Sequence, residues 1–180
     1  MRKDARKRTV LRSIRLMQDL DELLEKDAKD RSISVNGLIS AIMTKYVEWD
    51  RYSERFGYVS LTHDSFKYIL EAADEEKLIK GAKEYGSKVP KEFMLFRFKN
   101  TSLDSFLKTL SLHCKYAGIA QYDLQSQGRD YILTIHHKFG QKWSSFFKTT
   151  LEQAIKHAVG FPAEFDVTTN SIAIKITAPY

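Results

Sequence analysis

The first fifty residues constrain this chain most. They hold one short stretch rich in β-formers, TVLRSIRL at 9–16, and two segments of helical periodicity. In MQDLDELLEKDAKD, residues 17–30, Leu20, Leu23, Leu24 and Ala28 share one face. From Val35 to about Asp50, a second stripe runs through Leu38, Ile39, Ile42, Met43, Tyr46, Val47 and Trp49. The RSIS between them breaks the pattern. Ser34 is suited to cap the second helix, because its hydroxyl accepts a free backbone N–H of the first turn. A strand and two helices of this length bury too little surface to stand alone. A single strand also leaves its ladder groups unpaired. Both defects disappear if two copies intertwine, with the strands paired as an antiparallel ribbon and four helices sharing one core. An obligate homodimer is therefore expected.

Charge is concentrated in the same region. Residues 1–15 carry Arg2, Lys3, Arg6, Lys7, Arg8, Arg12 and Arg15 against the single acid Asp4. That surplus equals the net charge of +6 of the whole 180-residue chain, so the remainder is balanced. A cationic arm on a neutral body suits a polyanionic partner. The one cysteine, Cys114, excludes an internal disulfide framework and fits a reducing cytoplasm. No apolar run is long enough to span a bilayer, and the first residues carry no leader-like apolar region.

The stretch RSIRLMQDLDELLEKDAKDRSISVNGLISAIMTKYVEW resembles a ribbon-helix-helix DNA-binding domain of the Arc repressor type. The resemblance rests on the SIRL strand end, the apolar spacing of both helices, and the S-V-N-x-x-I opening of the second helix. It implies a dimer whose paired ribbon enters the major groove of double-stranded DNA and reads base edges. Alternation along the strand puts Ile14 and Leu16 in the core, and Leu11, Ser13 and Arg15 outward as base contacts. Arg15 suits a guanine, and Leu11 a thymine methyl. Leu11 and Arg12 depart from the family's usual polar–apolar order, so the register at the start of the strand stays open. The small residues Ser32, Ser34 and Asn36 around Val35 make an anion seat at the second helix's positive end. Arg8, Arg12, Ser32, Ser34, Val35 and Asn36 are the expected phosphate contacts.

Beyond Gly57 the pattern changes. Residues 62–86 read as helix, broken near Asp74 and stopped by Gly86. EFMLFRFK at 92–99 reads as a strand, and 101–118 as a helix capped by Thr101 or Ser102. IAQYDLQ and DYILTIHH form a hairpin across SQGR. Residues 140–160 form a long helix, with Trp143, Phe146, Phe147, Leu151, Ala154, Ile155 and Ala158 inward. AEFDV and SIAIKIT close a second hairpin at Thr169-Asn170. The expected architecture is α+β: a basic arm at 1–8, a ribbon-helix-helix at 9–56, and an α+β domain of about five strands at 57–180.

No phosphate loop or dinucleotide fingerprint is present. His136 and His137 are strand neighbours and point to opposite faces, so they do not readily share a metal. Cys114 lies on an apolar stripe beside His113, which suits a core residue better than a nucleophile. No catalytic group, metal or cofactor is expected. TIHHKFGQKWSSFF, at 134–147, distantly resembles small-molecule-binding α+β modules of the vinyl-reductase-like and haem-nitric-oxide-like kind, without transferring a ligand or a residue. The expectation is a cytoplasmic transcriptional regulator, not an enzyme, in which the second domain serves oligomerisation or effector sensing. An antitoxin whose C-terminal half binds a partner protein is the alternative.

Overall fold

The computed structural model describes residues 9–179. Its contacts divide the chain into two compact units, one up to Val47 and one from Glu48 onward. In the first unit, α1 spans Gln18–Asp30 and α2 spans Val35–Lys45. The turn between them is closed by backbone bonds. Ser32 N–H donates to the Lys29 carbonyl and Ile33 N–H to the Ala28 carbonyl, both at 3.0 Å. This is the Schellman ending of a helix, and it puts Ser32 in the left-handed region at φ 54°. Glycine usually fills that place. Among the described residues of this unit, only Ala28 and Leu38 are buried.

The ribbon expected at 9–16 is not there. Residues 9–17 form neither helix nor strand, and every side chain along them is exposed. The described residues offer this segment no ladder partner, and a lone strand cannot satisfy its own backbone groups. The N-terminal unit is thus a helical pair, and the ribbon-helix-helix assignment of its fold is corrected.

The second unit takes up the chain within a π-helical turn, Tyr46–Asp50, that leads into α3, Arg51–Phe56. Gly57, in the left-handed conformation at φ 66°, ends α3. Then come α4 (His63–Ala72), α5 (Glu75–Phe98), α6 (Leu103–Ala117), and the hairpin of β1 (Gln121–Gln127) and β2 (Asp130–His136). The chain closes with α7 (Gly140–Ala154), a second π turn (Ile155–Val159), β3 (Ala163–Val167) and β4 (Ser171–Thr177). Caps follow the sequence closely. Thr62, Asp74 and Ser102 each accept a first-turn N–H, and Gly118 ends α6.

The strands form one antiparallel sheet in the order β1-β2-β4-β3. Leu133 and Ile135 of β2 and Ile172, Ile174 and Ile176 of β4 alternate onto one face. They join Phe106, Leu110, Phe147 and Leu151 of α6 and α7 in one core. The sheet has four strands, not about five, because EFMLFRFK is the C-terminal end of α5. Gly86, read as the stop of the preceding helix, lies inside α5, as does Pro90. Ala82, Gly86, Phe93 and Met94 are buried at helical spacing. A Cβ at Gly86 would stand 2.5 Å from the Thr150 carbonyl oxygen, so this glycine permits close contact with α7 rather than ending α5.

Candidate functional site

The first unit carries the residues expected to meet DNA. Ser34 is the N-cap of α2, and its Oγ accepts the Gly37 N–H at 3.1 Å. The first backbone bond of the helix runs from Leu38 N–H to the Ser34 carbonyl at 2.9 Å. The N–H groups of Val35 and Asn36 precede both bonds and sit at the positive end of the helix dipole. Ser32, Ser34 and Asn36 are exposed around them, and Val35 is half-buried. No acidic residue occupies the first turn of α2. The mouth of α2 is therefore small, polar and unblocked by negative charge, as an anion seat requires.

The base-reading candidates lie on the segment before α1. Leu11 is 92% exposed, and Arg12, Ser13 and Arg15 are exposed with it. Ile14 and Leu16, expected to face the core, are exposed too, at 54% and 37%. The two faces implied by alternation are not distinguished in the single chain. Arg8 and the rest of the arm at 1–8 lie outside the described residues.

The second unit holds two histidine networks that sequence reasoning did not find. His113 Nδ1 lies 2.8 Å from the Thr109 carbonyl, so it donates there. Its Nε2 then accepts from the Tyr58 hydroxyl. Burial is the main cause that holds the His113 imidazole below its ordinary pKa, against a raising effect of the Thr109 bond. It also pushes the Tyr58 hydroxyl far above the usual tyrosine value. Trp49 and Phe93 pack their rings on His113, at centroid distances of 4.8 and 5.2 Å. Nothing in the sequence signals this pairing, because Tyr58 stands 55 residues away on a connecting segment.

His137 is buried, whereas its neighbour His136 is exposed, as strand alternation requires. Ser144 Oγ donates to the Thr169 carbonyl at 2.9 Å and accepts from His137 Nε2 at 2.9 Å. His137 Nδ1 accepts the Phe139 N–H at 3.3 Å. A serine nucleophile must pass its proton to the imidazole. Here the imidazole is the donor and the serine proton points to a carbonyl, so the pair fastens the start of α7 to the sheet. Cys114 is buried on the core face of α6, and burial pushes its thiol up to about 12. Among the described residues, no group of three or more His, Cys, Asp or Glu side chains converges as a metal site would require. Likewise, no described helix is long and apolar enough to cross a membrane. Compared with known proteins, the chain matches no family model and no curated protein.

Proposed function

We propose that the protein is a cytoplasmic, homodimeric DNA-binding regulator of transcription, whose first unit binds double-stranded DNA. The observation that carries the reading is the incompleteness of the helical pair. Among its described residues it buries two apolar side chains and leaves Leu20, Leu23, Ile33, Ile42 and Met43 between 45% and 63% exposed. A surface of that kind is finished by a second copy. The net charge of the chain is carried on residues 1–15, at the start of this unit. Each protomer thus contributes cationic side chains and one polar helix mouth to the same partner. Arg8, Arg12 and the backbone at Val35 and Asn36, framed by Ser32 and Ser34, take phosphates. Leu11, Ser13 and Arg15 take base edges. The second unit has its own continuous core, which favours a regulator over an antitoxin tail that folds only on its partner.

The test is binding to duplex DNA over a range of salt. A dimer holding about six phosphates gives a slope of log affinity against log salt near −5, and removal of residues 2–8 flattens it. Arg15→Ala is expected to cost roughly 1–3 kcal/mol per base contact and to relax sequence preference. A slope near zero in the full chain removes the DNA reading.

A further inference from the structure

We propose that a cavity of about 150 Å³ between α5, α6 and α7 is a binding site for a small neutral ring compound bearing one hydrogen-bonding oxygen, such as a simple phenol or aryl alcohol. The inference stands whether or not the first unit binds DNA. The cavity walls are mainly apolar, with Phe93, Phe106 and Phe147 among them. A cavity of this volume with apolar walls holds a molecule about the size of benzene. Among the described residues, no Asp, Glu, Lys or Arg lines it, so a charged ligand would lose its hydration without compensation.

The residues of the wall identify the rest of the ligand. Thr109, Thr150 and Trp143 line the cavity, and their Oγ1, Oγ1 and Nε1 atoms are buried with no hydrogen-bond partner among the described residues. All three residues are more than nine-tenths buried, at 7%, 5% and 7% exposure. A helical threonine ordinarily turns its hydroxyl back to the carbonyl one turn earlier. Thr44 does so in this chain, donating to the Ser40 carbonyl at 2.7 Å. Thr109 and Thr150 do not, although an unpaired buried hydroxyl costs stability. Indole N–H only donates, so the occupant must offer an acceptor; hydroxyls both donate and accept. One oxygen on a compact ring meets these demands. Tyr58, Tyr85, His113 and Ile119 also line an adjoining cleft of about 240 Å³.

The protein has two tryptophans, which makes the test direct. Trp143 lines the cavity and Trp49 does not. The full chain, labelled with ¹⁵N, is titrated with phenol, benzyl alcohol, benzene and benzoate while the two indole N–H signals are followed. Phenol or benzyl alcohol should move the Trp143 signal saturably and further than the Trp49 signal. Benzene should bind roughly five- to tenfold more weakly for want of the hydrogen bond, and benzoate should not bind. Thr150→Val should bring phenol affinity down to that of benzene and raise the melting temperature of the free protein. Thr109→Val serves as a second variant if the first does not fold. No saturable shift with any neutral probe means that the cavity takes ordered water only, which overturns the proposal. Equal affinity for benzene and phenol, or tighter binding of benzoate, overturns the assigned ligand chemistry.

Discussion

The half-buried His113 and the buried His137 predict how stability responds to mild acid. Burial lowers the pKa of both His113 and His137, the second also through its neighbour His136. The unfolded chain keeps a proton on each ring up to about pH 6.5, whereas the folded chain releases it at lower pH. Their contribution to stability is therefore complete above that point and shrinks as pH falls through the folded values. Denaturant unfolding from pH 7.5 down to 5 should show a falling midpoint, and His113→Gln should make the fall shallower. An unchanged slope in that variant would place the acid response elsewhere. Residue-scale features were legible where they depend on close neighbours. Ser34 as a cap requires only the N–H three residues on, and Gly118 as a helix end requires only its own backbone freedom. The Tyr58–His113 bond depends on how a distant loop returns, and no local pattern encodes that.

At the scale of elements, α5 and α7 decide the packing of the second unit. Gly86 lets the two backbones approach, and Pro90, one turn later, lacks the N–H that would otherwise reach the Gly86 carbonyl. Both residues are poor helix formers, and both are retained inside a helix of 24 residues because its buried side packs so closely on α7. Gly86→Ala should destabilise the protein by roughly 1–3 kcal/mol despite its better helix propensity, read as a lower denaturant midpoint. Stability equal to or above that of the parent chain would show that the helices separate without cost. A smaller device of the same kind closes α4. Lys142 at the start of α7 donates to the carbonyls of Glu71 and Ala73, at 2.8 and 2.7 Å, and so neutralises the negative end of that helix. Sequence periodicity found every helix of this unit that is longer than two turns. It misread the end of α5 as a strand because Gly86 looks like a helix stop until the neighbouring helix is in place.

For the whole molecule, the number of copies in solution is read from the helical pair. The exposed apolar side of the helical pair predicts a dimer, and Leu23, 63% exposed on α1, is a direct probe of it. Sedimentation should give a dimer for the parent chain and a monomer for Leu23→Glu. Losing each buried leucine contact costs roughly 1.5–3 kcal/mol, twice over in a symmetric pair. A dimer that persists in Leu23→Glu would place the contact on another surface. Local sequence carried the helical pair at 18–45, the caps at Ser34 and Ser102, the stop at Gly118, the two hairpins and the uneven charge, because each follows from neighbours within a few positions. The tertiary structure decided the helix at 92–98 and the four-stranded order of the sheet. It also withheld a strand from residues 9–17, which find no pairing partner among the described residues. It alone brought Thr109, Trp143 and Thr150 around one cavity. Hydrogen bonds and close contacts between distant segments depend on the whole chain's path, and periodicity along the sequence carries no record of that path.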